Sequence, residues 1–151
     1  MSVPEVDRET RQAVADVMVR YATGIDRRDW ALFRTCFTDD CVCDYDPVGP
    51  KEGYADFEAL ARGYLSPLPA TQHLVTNHVI EISGDTASAR SYAHAMHVAA
   101  TGAQFVIAGT YEDELVRTGD GWRIRRRRFP MSWWSGDPAA IGLDPALLGA
   151  T

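Results

Sequence analysis

The chain has 151 residues, of which 46% are hydrophobic and 24% are charged, and its formal net charge at pH 7 is −6. This length suits one domain with a core and a small pocket, and the composition excludes a wholly disordered chain. The first ten residues are polar and acidic, and no apolar stretch is long enough for a membrane helix. We therefore expect a single domain over residues 1–151, located in the cytoplasm and without membrane contact.

Helices are predicted in the first half of the chain, where apolar residues recur at spacings of three and four. Polar residues before such runs are candidate helix caps, and a segment rich in Gly and Pro marks a turn. In chain order, the predicted elements are a helix over 7–25 capped by Asp7, a helix over 29–37 capped by Asp29, a strand over 38–46, a turn over 48–53 and a helix over 54–65.

The pattern changes to a period of two after Pro69. Glycine-containing turns separate the apolar segments, which is typical of an antiparallel meander. Helices followed by such a meander predict an α+β fold in which the helices cover one face of a curved, mainly antiparallel sheet. The predicted strands span about 71–82, 86–99, 103–117 and 121–134, and an arm containing Gly and Pro follows from residue 135.

Both faces of the first predicted strand carry apolar side chains, whereas a sheet with one face in water alternates apolar and polar residues. We therefore expect one face to cover a pocket beneath the helices and the other to contact a second subunit. Strict alternation assigns one face to His73, Val75, Asn77 and Val79, and the other to Leu74, Thr76, His78, Ile80 and Ile82.

Several short phrases of the chain match a known family. They are Tyr21-Ala-Thr-Gly-Ile-Asp-Arg-Arg-Asp-Trp30, Phe37-Thr-Asp-Asp40, Thr71-Gln-His73, Asn77 and Asp120-Gly-Trp-Arg-Ile124. In this order they resemble the SnoaL-like branch of the nuclear-transport-factor-2-like superfamily, over about residues 8–134. In motif the chain is most similar to scytalone dehydratases, bile-acid 7α-dehydratases and hexachlorocyclohexane dehydrochlorinases. This resemblance implies a cone-shaped α+β barrel, a lyase that uses no cofactor, and a homotrimer in preference to a dimer.

The same resemblance implies catalytic residues. The aspartate and the histidine that recur across these three lyases fall on Asp26 and His73. An active-site tyrosine of the bile-acid enzymes falls on Tyr21, and a strand tyrosine of the scytalone dehydratases falls on Tyr45. The second histidine of the scytalone dehydratases falls on His97, if one residue is gapped in the preceding turn.

The chain also departs from these families. Tyr21 stands where the dehydrochlorinases have a lysine, and Ala95 stands where the bile-acid enzymes have a carboxylate, so the identity of the substrate does not carry over. We expect substrate contacts from Trp30, Asn77 and Arg126.

The chemistry of the predicted pair follows from its residue types. A carboxylate that binds one nitrogen of an imidazole fixes its tautomer and raises the basicity of the other nitrogen. Asp26 would thus orient His73 as a general base, with Tyr21, Tyr45 or His97 assisting the leaving group. The structural alternative is that Asp26 caps the next helix and His73 is a core histidine.

Two geometric points bear on these residues. Tyr21 and Asp26 are five positions apart, about 140° around a helix, so both can face one pocket only if the helix loosens near Gly24. His94 and His97 have opposite strand parity, and a regular strand places only one of them inward. We prefer His97, because the small side chains on its face leave room for a pocket.

The arginine run 123–128 could suggest nucleic-acid binding, but it lies on a predicted strand of an acidic protein and lacks interleaved aromatic residues. By parity with Trp122 and Ile124, Arg126 and Arg128 would point toward the pocket. The alternative is a salt-bridged strand or a subunit interface.

The three cysteines lie close together in the sequence, at positions 36, 41 and 43. Their spacing lacks the paired pattern of zinc sites, and no further cysteine follows. We interpret them as core thiols and expect no metal.

The sequence thus predicts a small lyase without cofactor, a dehydratase, acting on a hydrophobic cyclic compound such as a polyketide, steroid or aromatic precursor. An isomerase or cyclase would start with the same proton abstraction. A different class, a non-catalytic partner similar to the β subunit of ring-hydroxylating dioxygenases, shares this fold but does not need the Asp26–His73 pair.

Overall fold

The computed structural model describes the backbone of residues 5–149. It contains three α-helices, seven β-strands and two short 3-10 helices, at Pro138–Ile141 and Pro145–Leu148. The helices are α1 (Glu5–Arg27), α2 (Trp30–Arg34) and α3 (Tyr54–Leu65), and the strands are β1 (Phe37–Tyr45), β2 (Gly49–Glu52), β3 (Ala70–Ser83), β4 (Thr86–Val98), β5 (Gln104–Thr118), β6 (Gly121–Phe129) and β7 (Met131–Gly136).

All seven strands belong to one sheet with the order β2-β1-β6-β5-β4-β3, and β7 pairs with β5. The predicted antiparallel meander is present as β3 to β6. The sheet is mixed, because β1 runs parallel to β6. The helices pack on one face of this sheet, which confirms the predicted α+β cone with a mainly antiparallel sheet.

Helix α1 supplies much of the core through its apolar face. Its buried side chains are those whose spacing predicted the helix, Val14, Val17, Met18, Tyr21 and Ile25. The helix begins before residue 7, so the predicted cap at residue 7 is wrong, and that aspartate instead pairs with the arginine four residues later.

α1 does not loosen near Gly24, since the helix continues to Arg27. Gly24 serves packing instead. A Cβ atom at this position would lie 2.9 Å from the backbone nitrogen of Phe33, so the missing side chain lets α2 approach α1 closely.

Three predicted boundaries differ from the structure. The helix predicted over 29–37 ends at Arg34, because Phe37 already pairs with Ile124 in the sheet. The predicted turn over 48–53 contains the short strand β2. The strand predicted over 121–134 is interrupted at Pro130, which has no N–H to donate, and its two halves, β6 and β7, pair with β5 one after the other.

Two β-bulges change which side chains face the helices. In β3, Asn77 adopts a left-handed conformation with φ of 56°, and the pairing shifts by one residue between Thr76 and Val79. A bulge inserts an unpaired residue and reverses the alternation beyond it. Val79 is therefore exposed, while Ile80 and Ile82 pack against the core, so the predicted faces of this strand are wrong beyond Thr76.

The second bulge lies in β6. Ile124 pairs with Leu115, and Arg126 pairs with Glu114, so Arg125 is the extra residue. Arg127 is buried as a result, whereas Arg126 points to the outer face and pairs with Glu114. The prediction that Arg126 faces the pocket is therefore wrong, and so is the corresponding prediction for Arg128, which pairs with Glu112 on the outer face.

The outer face of the sheet combines exposed apolar side chains with surface ion pairs. Leu74, Tyr92 and Trp133 are exposed to 47%, 58% and 50%. Among residues 5–149, no helix combines the length and hydrophobicity that a membrane crossing requires.

Candidate functional site

A cavity lies between the helices and the inner face of the sheet. Its volume is about 120 Å³. Side chains of α1, α3, β1, β3, β4, β5 and β6 form the wall, and the β1–β2 loop and the C-terminal arm complete it. The apolar lining includes Ile25, Phe57, Leu60, Leu65, Ile107, Phe129, Ile141 and Leu143, and the polar lining consists of Tyr21, Tyr45, Asp46, Tyr64, His73, His97 and Tyr111.

Asp26 and His73 are joined by two hydrogen bonds. The His73 Nδ1 atom lies 2.7 Å from Oδ1 of Asp26, and the backbone N–H of His73 donates to Oδ2 at 2.8 Å. Thr71 also donates its hydroxyl proton to Oδ1 at 3.0 Å. Asp26 does not cap α2, since that position is occupied by Asp29, which accepts from the Leu32 N–H. Both carboxylate oxygens of Asp26 are thus directed at β3.

The electrostatics of the pair fix its protonation. Burial alone would raise the pKa of the Asp26 carboxyl, but the hydrogen bonds and charge of His73 and the hydrogen bond from Thr71 outweigh it and hold this pKa below its ordinary value. An ionised carboxylate only accepts hydrogen bonds, so Nδ1 of His73 must donate. The Nε2 lone pair of neutral His73 is then free, on a ring that lines the cavity.

His97 lies beside His73, with 5.7 Å between the ring centroids. Its Nδ1 atom is 3.0 Å from the carbonyl oxygen of Phe105, and because a carbonyl only accepts, Nδ1 donates. Burial, reinforced by the nearby His73, lowers the pKa of His97 to about 4. At neutral pH His97 therefore offers its Nε2 atom as an acceptor, and it is not a proton donor on that side.

Three tyrosines form a hydrogen-bonded cluster in the cavity wall, and the Tyr21 ring packs edge-on against His73, with 6.3 Å between the ring centroids. The Tyr21 hydroxyl lies 2.9 Å from that of Tyr45 and 3.2 Å from that of Tyr111. Burial raises the pKa of all three hydroxyls well above the ordinary value, so each carries its proton. Two hydroxyl–hydroxyl bonds use two of the three protons. One proton of this tyrosine cluster remains for a ligand.

A buried ion pair supports the tyrosine cluster. Arg127 donates to both carboxylate oxygens of Asp113, at 2.6 and 2.8 Å, and both side chains are fully buried. The guanidinium also lies 4.3 Å from the ring centroid of Tyr21 and 3.9 Å from that of Tyr111, and it donates to the Tyr45 hydroxyl at 3.3 Å. Burial alone would lower the pKa of Arg127, but Asp113 outweighs this effect and raises it.

The three predicted substrate contacts lie outside the cavity. Trp30 packs on Phe33 and carries the Arg62 guanidinium 4.6 Å above its ring, because the start of α2 faces α3. Asn77 is exposed at the β3 bulge, and Arg126 is exposed on the outer face. None of these three side chains lines the cavity.

Tyr21, Tyr45, His73 and His97 all line the cavity, and Asp26 stands behind His73. The other two histidines do not line it. His94 packs against Trp133 on the outer face. This agrees with the prediction that His97, and not His94, faces inward. His78 binds the buried Ser91 hydroxyl.

The cysteine side chains are free and buried at all three positions. In the part of the chain that the structure describes, no three His, Cys, Asp or Glu side chains are grouped as metal ligands would be.

Sequence reasoning missed several residues of the site. Tyr111 and Asp113 share strand parity with the buried Phe105 and Leu115, and this signal could have found them. Arg127 gave no such signal, because the bulge that turns it inward is not visible in the alternation. The arm residues Ile141 and Leu143 were missed because an irregular segment has no period.

Comparison with known proteins agrees with this architecture. Residues 6–128 match the model of a family described as SnoaL-like domain. A solved protein of Novosphingobium aromaticivorans, provisionally described as an aromatic ring hydroxylase, is 28% identical, with a TM-score of 0.82 over 93% of this chain and 99% of that chain.

Two further structures share the fold at lower identity. One, from Novosphingobium aromaticivorans and provisionally described as a scytalone dehydratase, is 21% identical, with a TM-score of 0.81 over 87% of this chain and 89% of that one. The other, a type 2 hexachlorocyclohexane dehydrochlorinase, is 21% identical, with a TM-score of 0.79 over 94% and 99%. Because the family model spans most of its length, the chain belongs to the SnoaL-like family, as its motifs predicted.

Proposed function

We propose that this protein is a lyase that removes water from a small hydrophobic ring compound without a cofactor. The observation that carries the proposal is the Asp26–His73 pair at the wall of an apolar cavity. A structural subunit has no need for a carboxylate-oriented imidazole whose second nitrogen faces a cavity. An elimination does need one base that is unprotonated near neutral pH.

The proposed reaction begins at His73. Its Nε2 atom takes a proton from the carbon next to a carbonyl group, and the electrons of that C–H bond form an enolate. Asp26 stabilises the resulting imidazolium charge. A hydroxyl of the tyrosine cluster donates a hydrogen bond to the enolate oxygen and keeps its proton. The enolate then re-forms the carbonyl as the β-hydroxyl leaves, and that hydroxyl takes a proton from the His73 imidazolium and departs as water.

The cavity limits the size and charge of the substrate. Its volume, about 120 Å³, is near that of an engineered apolar cavity of about 150 Å³ that binds benzene. We therefore propose a substrate with one ring, rather than the fused rings of a steroid. Arg127 is neutralised by Asp113, and the carboxylate of Asp46 lines the cavity. An uncharged ketone suits this site better than a carboxylic acid.

The test uses ring ketones with one ring and a hydroxyl at the β position, such as β-hydroxycyclohexanone, incubated with the protein in D2O. Deuterium at the α-carbon reports proton abstraction, and the absorbance of the conjugated enone reports loss of water. We expect both signals with the wild type and His94→Gln, and neither above background with His73→Gln. Enone formation that is unaffected by His73→Gln would contradict the proposal.

An isomerase or cyclase on the same scaffold would give deuterium exchange without the enone. The likeness to the protein described as an aromatic ring hydroxylase favours a different class, a non-catalytic partner of a larger oxygenase subunit. Purification from the native host separates these candidates. A stable complex with an iron-dependent subunit would support the partner, and an uncomplexed protein that forms the enone would support the lyase.

We further propose that the protein is a homo-oligomer, a trimer in preference to a dimer, assembled through the outer face of the sheet. Support comes from Leu74, Tyr92 and Trp133, which are exposed together there. Sedimentation should give a mass above 16.7 kDa, and Tyr92→Arg should lower it. A stable monomer at micromolar concentration would contradict this. The free thiols fit the reducing cytoplasm that we propose as its location.

A further inference from the structure

Arg28 occupies an unusual position directly after α1. Its backbone is left-handed, with φ of 56°, a conformation that is uncommon for a residue with a side chain. The guanidinium donates from Nη1 to the Ile25 carbonyl at 2.6 Å and to the Thr71 hydroxyl at 2.8 Å, and from Nη2 to the Leu68 carbonyl at 3.1 Å. It therefore joins the end of α1 to the chain that enters β3.

The hydrogen bond to Thr71 continues as a chain. The Thr71 hydroxyl lies 3.0 Å from Oδ1 of Asp26, and the same oxygen lies 2.7 Å from Nδ1 of His73. Four side chains, Arg28, Thr71, Asp26 and His73, are thus connected in one row, which we name the relay. The relay ends at the imidazole that lines the cavity.

The direction of each bond in the relay follows from proton counting. A guanidinium has donors only, so the Thr71 oxygen accepts from Arg28. The single hydroxyl proton of Thr71 is therefore available to Asp26, which accepts it. Oδ2 of Asp26 accepts the backbone N–H of His73. With both carboxylate oxygens accepting, Nδ1 of His73 donates, and in the neutral form of the ring Nε2 then carries no proton.

We infer that Arg28 is a positioning residue that, through Thr71, sets the His73 tautomer with an unprotonated Nε2. The catalytic meaning of this inference rests on the proposed function, but the tautomer itself does not. Without the cation, the Thr71 hydroxyl is free to turn its proton toward a backbone carbonyl. Oδ1 of Asp26 then loses the donor that holds it beside His73, so the carboxylate is free to rotate away from Nδ1 and the neutral ring is free to carry its single proton on Nε2.

The experiment is long-range proton–nitrogen NMR of the full chain labelled with ¹⁵N-histidine, at a pH of about 8 where imidazoles are neutral. The chain has four histidines, and His73→Gln identifies the His73 signals. We expect the Nδ1–H tautomer in the wild type. Arg28→Met and Thr71→Val should each give a measurable fraction of the Nε2–H tautomer.

Conservative variants separate positioning from mere support of the fold. Arg28→Lys keeps a cationic donor and Thr71→Ser keeps the hydroxyl, so both should retain the wild-type tautomer. Arg27→Met is the matched control, because that neighbouring arginine is exposed. With the ring ketones, Arg28→Met and Thr71→Val should lower kcat about tenfold, the effect of one hydrogen bond, with KM nearly unchanged.

The outcomes distinguish this inference from the proposed function. If Thr71→Val and Arg28→Met both keep the wild-type tautomer, the inference is overturned, whatever the activity. If the tautomer changes as expected while even the wild type forms no enone, the relay is supported and the lyase proposal fails. Thr71→Val leaves the backbone bonds of Arg28 in place, and it alone decides the outcome should Arg28→Met not fold.

Discussion

The site contains two acid–base pairs that differ in how completely they are neutralised. Asp113 and Arg127 bind each other through two hydrogen bonds, and neither side chain contacts solvent. Asp26 and His73 share a bond of similar length, 2.7 Å, but the imidazole keeps one nitrogen free at the cavity wall. The groups of the Asp113–Arg127 pair thus bind each other, whereas the His73 ring of the other pair keeps a nitrogen that is available to a ligand.

Because of this difference, we expect the two pairs to have different functions. A guanidinium keeps its proton at any working pH, so Arg127 acts by holding the tyrosine cluster and by its charge. An imidazole exchanges its proton near neutrality, so His73 is the group that can take a proton from a substrate. Buried charge alone therefore does not mark the base, and the free nitrogen does.

Breaking the Asp113–Arg127 pair should have the largest effect. Arg127→Met leaves the Asp113 carboxylate buried without a partner, and we expect it to lower the free energy of unfolding by about 3–5 kcal/mol. Arg126→Met, on the exposed neighbour, should change it by less than about 0.5 kcal/mol. Urea unfolding measures both.

A compensating change sharpens this test. Adding Asp113→Leu to Arg127→Met removes the stranded charge and should recover most of the lost stability. If Arg127→Met alone has the same free energy of unfolding as the Arg126→Met control, the Arg127–Asp113 pair does not stabilise the core.

The free energy of unfolding should depend on pH through His97, the imidazole that lies beside His73 in the cavity wall. Its pKa is about 4 in the folded chain, against an ordinary value of 6.5. Below pH 6.5 the unfolded chain binds a proton there that the folded chain excludes. The free energy of unfolding should thus fall from about pH 6.5 to about 4, with a slope of at most about 1.4 kcal/mol per pH unit.

His97→Gln should remove this part of the slope, and His94→Gln should keep it, because His94 lies on the outer face. Urea midpoints measured across this pH range provide the comparison. Equal slopes in the wild type and His97→Gln would mean that His97 is not held neutral.

Asp26 should contribute a smaller effect at lower pH. Its folded pKa lies below the ordinary value, so its stabilisation is present above the unfolded value of about 3.9 and is lost as the pH falls through the folded pKa. Asp26→Asn should be less stable than the wild type at neutral pH, on the order of 1–2 kcal/mol. Below about pH 4 this gap in the free energy of unfolding should narrow, and a gap that stays constant would contradict the assignment.

The parts of the fold that sequence could predict are those with an unbroken period. β4 alternates strictly from Ala87 to His97. Parity allowed only one of His94 and His97 to face inward, and the small side chains on the face of His97 selected it. The contact of Asp26 with His73 came from motif resemblance, because nothing in local periodicity relates the end of a helix to a strand that begins more than 40 residues later.

The errors occur where one residue breaks the period. The bulges at Asn77 and Arg125 reversed the faces of β3 and β6, and each removed a predicted substrate contact. A bulge is selected by the pairing of neighbouring strands, which a single strand's sequence does not contain. The same bulge in β6 turned Arg127 into the core, where it became part of the site.

The most direct test of the central claim is a double-mutant cycle on Asp26 and His73. The measured quantity is kcat/KM for enone formation from the ring ketone that the wild type converts fastest. If the pair acts as one base, His73→Gln and Asp26→Asn should each lower kcat/KM by on the order of 10²-fold or more, and the double variant should lose little beyond the worse single variant. Two near-wild-type single variants, or losses that simply multiply in the double variant, would contradict the account.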